Sequence, residues 1–339
     1  MNATTLASYA NISLYSAMAV LTLSMLGYAA YLAGSLPARD RAGAEQLPAD
    51  RELVGAGAPR SGPKAPTVAA GTPDAAAALA AGSDGAGQVG ARARKAGGVA
   101  GSFAWLATLL IAASVVMRGL AVHRAPLGNI FEFVTMASLF VMIVFCAWST
   151  RRDLRWLGIF VVAPVLLMLG AAITIWYTEA AELMPSLKSY WLVIHVTVAT
   201  LSVAVFTLAA VVTGLYLLVD RAERGDSMRR LARLLPGSRE LERLGYGMHI
   251  VAFPLWTFTL IAGAIWARQA WASYWNWDPK EVWTFIIWVV YAAYLHARVT
   301  TGISRQRTAW IALAGFACIV ANYAIVNMYF VGQHSYSGL

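Results

Sequence analysis

The stretch YWLVIHVTVATLSVAVFTLAAVVTGLYLLV, Tyr190 to Val219, contains no Lys, Arg, Asp or Glu. About 20 apolar residues in a helix cross the roughly 30 Å of bilayer hydrocarbon, so this run is long enough to span a membrane with length to spare. Working outward, the same reading applies upstream to about 9–34, 99–118, 130–149 and 156–177, and downstream to about 248–267, 283–300 and 309–331. The expected fold is therefore all-α, a polytopic membrane bundle of about eight transmembrane helices. Composition agrees: 59% of residues are hydrophobic and 13% charged, with mean hydropathy +0.60, too little polar surface for a soluble globule of 339 residues.

Between the first two runs, residues 36–98 are rich in Ala, Gly and Pro and lack aromatics, a composition that buries little surface against its ordering entropy. The expected organisation is an N-terminal transmembrane helix (1–35), a disordered cytoplasmic linker (36–98) and a seven-helix membrane domain (99–339). The N-terminal run lacks the basic start and small-residue cleavage site of a signal peptide and is read as a retained span. Placing 36–98, 151–155, 220–244 and 298–307 in the cytoplasm collects all of the 26 basic residues except Arg118, Arg124, Lys188, Arg268 and Lys280. The formal charge of +9 thus reports topology and not a nucleic-acid partner, and both termini are expected outside the cytoplasm. Within 220–244, Met228, Leu231, Leu234 and Leu235 recur at helical spacing among arginines, as in a short helix lying on the inner lipid surface. Cys146 and Cys318 both lie inside apolar runs and form no CxxC pair, which excludes a dithiol redox motif.

The loop before the seventh run carries the densest chemistry. Trp266, Trp271, Trp275, Trp277 and Trp283 fall within eighteen positions, on the outer side by the charge count, and suggest a flat apolar ledge suited to a large aromatic ring. Asp278-Pro279-Lys280-Glu281 reads as a helix start, with Asp as N-cap, Pro at the first position and Glu at the third. Histidine is the second signal. His195 near the outer end of the fifth span and His334 beyond the eighth flank this loop and are candidates for two axial imidazoles on one haem iron. His249 and His296 share the inner half of the membrane and form a second, deeper candidate pair, while His123 has no evident partner.

The run Trp271-Ala-Ser-Tyr-Trp275-Asn-Trp277-Asp278-Pro-Lys-Glu281, followed by Trp283 and Tyr294-Leu-His296-Ala-Arg298, resembles the tryptophan-rich WWD signature of haem-handling proteins for cytochrome c assembly. It is most similar to the CcsA/ResC branch of system II, and further matching stretches are Arg124–Glu132, Ser189–His195, Phe253-Pro254 and Gly332–Tyr336. The resemblance covers roughly residues 100–339, and Ala272 stands where the family commonly has Gly. It implies haem b as ligand and substrate, with His195 and His334 on an external haem and His296 on a haem within the membrane. The other ligand of that inner haem usually belongs to a ResB-type partner subunit, with which His249 competes for the assignment. Trp271, Trp275, Trp277 and Asp278 would form the haem platform. The implied role is in the cell membrane: delivery of haem to the extracytoplasmic face and its thioether attachment to the CxxCH segment of apocytochrome c, as part of a holocytochrome c synthetase. Two rivals are a bis-histidine b-type haem electron-transfer subunit, which has no need of the exposed Trp loop, and a solute permease, for which inverted repeats and Gly/Pro-broken midplane spans are expected, whereas no convincing repeat is present and the densest chemistry lies at the surface.

Overall fold

The computed structural model describes residues 2–45, 73–181, 188–225 and 232–334, without the side chains of 36–45, 73–89 and Met328. Eight helices follow in order: α1 (Ala3–Glu45), α2 (Pro73–Ala121), α3 (Ile130–Ser149), α4 (Gly158–Thr174), α5 (Tyr190–Glu223), α6 (Ser238–Trp271), α7 (Pro279–Val299) and α8 (Arg305–Ala321). α8 runs into a π-helical turn, Asn322–Val326, and a last short turn, Asn327–Tyr329. All but α4 provide a segment long and apolar enough to cross a bilayer. At 17 residues α4 reaches about 25 Å, short of the hydrocarbon thickness. Among the described residues there is no strand, and the chain is a polytopic helical membrane bundle.

α2 begins well before the expected span. Of the segment read as linker, 36–45 and 73–98 are helical, and residues 46–72 lie outside the described residues. Two physical reasons account for the difference. Alanine is the strongest helix former, so a segment too poor in bulk to make a core can still be helical. From Gly90 onward the small residues also serve packing. A methyl group on Gly27 would stand 2.8 Å from Ala100 Cβ, and one on Gly34 would stand 3.0 Å from Ala93 Cβ. α1 and α2 thus approach through small residues, the contact that replaces hydrophobic driving force between helices in lipid. Ser24 Oγ donates to Ala100 O at 2.8 Å and Ser13 Oγ to Leu110 O at 2.9 Å across the same seam.

The first four helices pack on one another, α5 to α8 do the same, and α3 against α5 joins the two groups around a common core. In the second group the Phe206 and Tyr291 rings stack at 3.9 Å, binding α5 to α7. Each end of the bundle carries a buried or half-buried ionic clamp. At one end Glu132, its side chain fully buried, accepts from Arg118 Nε (2.9 Å) and Arg124 Nη1 (2.8 Å), and the same arginines donate to Thr178 O and Ala181 O. At the other end Glu242 is paired with Arg298 and, at 3.7 Å, with Arg305. Of the expected surface helix, Met228 and Leu231 lie outside the described residues, while Leu234 and Leu235 are buried in the common core.

Candidate functional site

The helix start expected at Asp278 is present and organises the site. Asp278 is the N-cap of α7, Pro279 occupies the first turn, and Asp278 and Glu281 form a capping box. Lys280 N donates to Asp278 Oδ1 at 3.0 Å; Glu281 Oε2 accepts from Asn276 N (2.8 Å) and Asp278 N (3.2 Å). Those two N–H groups flank Trp277, whose φ of 57° is left-handed, and Ala272 at the C-cap of α6 has φ 59°. For residues with a Cβ this conformation costs roughly 1–2 kcal/mol each, and at Trp277 the converging bonds to Glu281 hold it in place.

Asp278 also fixes the chain end that follows α8. Gln333 N donates to Oδ2, and His334 Nδ1–H donates to Oδ1 at 2.9 Å. Burial alone would raise the Asp278 carboxyl, but the hydrogen bond and charge of His334, with the N–H groups of Gln333 and Lys280, outweigh it and hold the group below its ordinary range. It is therefore an ionised acceptor, so the proton of this contact sits on His334 Nδ1. His195, on α5, is anchored differently: its Nδ1–H donates to Thr259 O on α6 at 3.0 Å. Room for the ring comes from Gly263, one turn further along, where a methyl group would stand 2.8 Å from His195 Cε1.

Both imidazoles meet the buried indole of Trp266. His195 stacks on it at 6.1 Å with planes 12° apart, and His334 meets it edge-on at 5.7 Å. Trp271 packs edge-on against both Trp266 (4.7 Å) and His334 (4.9 Å). Among the described residues neither Nε2 makes a hydrogen bond, and both histidines line one cavity, together with Trp256, Tyr274, Trp275 and Lys280. Two imidazoles with Nδ1 tied and Nε2 open on a shared cavity form a donor set suited to a haem iron.

The five tryptophans do not form one ledge. Trp266 and Trp271 pack around His334, whereas Trp277, 77% exposed, and Trp275 project outward and meet each other edge-on at 5.8 Å. Trp275 continues edge-on to Phe285, which stacks on Trp288. Trp266 and Trp271 belong to the end of α6, while Trp275 and Trp277 lie in the loop beyond it, between the left-handed Ala272 and the start of α7.

The inner histidines are not brought together. His249 is wholly buried, its Nδ1–H donating to Gly245 O at 2.7 Å and its ring enclosed by Phe206, Tyr291 and Tyr294. His296 is exposed. Tyr291 and Tyr294 turn one face of α7 toward His249, and His296, two residues beyond Tyr294, lies about 200° further round the helix. Equal depth brought the two together in the sequence reading; depth carries no information about helix face. His123 is exposed in a left-handed turn after α2 and joins neither group. Three contributors went unread in the sequence: Thr259, which acts through a backbone carbonyl, Gly263, and Lys280, which lines the cavity. A glycine one turn from a polar anchor, and a lysine opening an apolar run, were the available signals.

A multi-pass helical membrane protein with paired imidazoles over a buried indole at one end is the class that these observations define. Residues 124–334 match the cytochrome C assembly protein family. Among relatives described as cytochrome c biogenesis protein CcsA, that of Guillardia theta is 35% identical over 236 residues, 63% of this chain and 77% of the relative. Its counterpart in Synechococcus sp. (strain CC9902) is 34% identical over 262 residues, 68% of this chain and 84% of the relative. For Chlamydomonas reinhardtii the identity is 32% over 238 residues, 68% of this chain and 66% of the relative. The chain belongs to the cytochrome c assembly protein family, of the CcsA type.

Proposed function

We propose that this chain holds haem b between His195 and His334 on the extracytoplasmic face and presents it for thioether attachment to the CxxCH segment of apocytochrome c, with a ResB-type membrane subunit as partner. The observation that supports it above others is the shared anchoring: each Nδ1 is committed to a protein acceptor, both Nε2 atoms are open, and both rings rest on Trp266. Attachment requires the two haem vinyl groups to be held against the two thiols of the substrate with the macrocycle still and water limited. This chain supplies the holding. His195 and His334 fix the iron, Trp271 packs against His334, and Trp275 and Trp277 stand exposed where an incoming polypeptide can meet them. The two anchors differ in strength: Asp278 makes His334 the more electron-rich donor, while His195 leans on a neutral carbonyl. The histidine of CxxCH then displaces His195 more readily than His334, and the product leaves by losing the second imidazole.

The outward direction of His296 on α7 suits an inner haem shared with the partner subunit, and the enclosure of His249 disfavours it as the second ligand. His195→Ala and His334→Ala should each cut the haem that copurifies with the protein and stop maturation of c-type cytochromes. Normal haem content and normal maturation in both variants would overturn the assignment.

A further inference from the structure

Lys280 is a half-buried cation that the capping arrangement of α7 does not use. Only its backbone N–H serves Asp278; its ammonium lies on the wall of the cavity that His195 and His334 share. Nζ donates to Asn327 Oδ1 and lies 5.1 Å from the centre of the Tyr323 ring. Both partners are neutral, and among the described residues Lys280 forms no ion pair. An ammonium carries three donors, so two protons remain for whatever enters the cavity. The two nearby carboxylates are already engaged: Asp278 by His334, Gln333 N and Lys280 N, and Glu281 Oε2 by Asn276 N and Asp278 N at the helix start, where the helix dipole favours negative charge. Glu281 also lines the cavity, and its Oε1 is buried without a hydrogen-bond partner among the described residues, so the cavity offers a ligand one cation and one carboxylate oxygen.

Asp278 offsets part of the cost of desolvating the Lys280 ammonium but forms no ion pair with it among the described residues, and a cation in such a place is matched by an anionic ligand. We infer that Lys280 is a carboxylate-binding residue of the cavity, and that its ligand is a propionate of the porphyrin held between His195 and His334. The inference rests on the haem reading above and adds a recognition element to it. A porphyrin carries carboxylates on one edge only, so a single fixed cation beside the two imidazoles selects one orientation of the ring about the axis joining them. The vinyl edge is thereby directed away from Lys280, toward the open side of the site where the substrate thiols must arrive.

The test uses the purified full chain and two probes, ferric protoporphyrin IX (haem) and its dimethyl ester, titrated by the Soret absorbance into wild type, Lys280→Gln and Lys280→Arg. Wild type should bind haem about tenfold or more tightly than the ester, equivalent to about 1.4 kcal/mol. Lys280→Gln should bind both probes with the affinity wild type shows for the ester, and Lys280→Arg should keep the preference. Equal binding of the two probes by wild type, or an undiminished preference in Lys280→Gln, would overturn the role of Lys280 and leave the haem reading standing. Failure of wild type to bind either probe would overturn both. The comparison of probes on wild type needs no variant, so a folding defect cannot mask the result.

Discussion

Asp278→Asn separates the charge of the carboxylate from its shape. Asn is as good an N-cap as Asp, so the start of α7 should persist. The amide oxygen can still accept from His334 Nδ1, now 2.9 Å from Oδ1, so the imidazole should keep its orientation. The charge is lost, and with it the hydrogen bond from Gln333 N, because the amide nitrogen in the place of Oδ2 is a donor and cannot accept. A hydrogen bond to a charged group contributes about 1.5–3 kcal/mol and a neutral one about 0.5–1.5, so the His334 tether should weaken by about 1–1.5 kcal/mol. Partners behind a metal-ligating histidine typically govern 10- to 100-fold in affinity, and haem binding should fall within that range. With a less electron-rich imidazole, the reduction potential of the bound haem should rise. Asp278→Ala, which also removes the cap, should lose about a further 1 kcal/mol of stability. The assay is haem titration and spectroelectrochemistry on purified wild type and both variants. Wild-type affinity together with an unchanged potential in Asp278→Asn would refute the claim that this carboxylate tunes His334.

Lowering pH tests the same contact. The folded Asp278 carboxyl lies below its ordinary 3.8, so the stability it contributes is complete above that value and is lost as pH falls further; unfolding of Asp278→Asn followed against pH should lack this part of the acid destabilisation. Gly263→Ala places a methyl 2.8 Å from His195 Cε1, and haem copurification should fall by about tenfold or more while helix content by circular dichroism is unchanged. Ala272→Gly relieves a left-handed alanine, for a net gain of about 0.5–1 kcal/mol in denaturant unfolding after the added chain entropy of glycine, whereas Ala272→Val should lose stability. Glu132→Ala strands Arg118 and Arg124 in a half-buried site and should cost about 3–5 kcal/mol, read by thermal unfolding in detergent.

The membrane fold was legible because hydrocarbon thickness sets the length of a span, and each apolar run of the sequence became a helix, seven of them long enough to cross and α4 short of it. The helix start at Asp278 was legible for a similar reason, since a cap is local chemistry at fixed spacing. The placement of His195 and His334 at one end of the bundle was accessible from charge bias. What sequence could not supply was azimuth. Two histidines at one depth, 249 and 296, point to different faces of the helix pack, and of the five tryptophans two pack around His334, two project outward and Trp283 sits half-buried in the first turns of α7. The helical residues 73–98 were missed because a burial criterion was applied to an alanine-rich segment whose local propensity needs no core. Thr259 lends only a carbonyl to His195, and a main-chain acceptor leaves no trace in residue type.

The π-helical turn at Asn322–Val326 has a geometric corollary for the segment that follows. One additional residue in a helical turn advances everything beyond it by about 100° in azimuth relative to an unbroken α-helix. Asn327 reaches Lys280, and Gln333 and His334 reach Asp278, in this advanced phase. Deleting one residue from that turn would leave the hydropathy of the last span almost untouched and swing the tail that carries His334 to another side of the helix bundle. The timing of a single widened turn therefore sets whether one of the two imidazoles arrives at all.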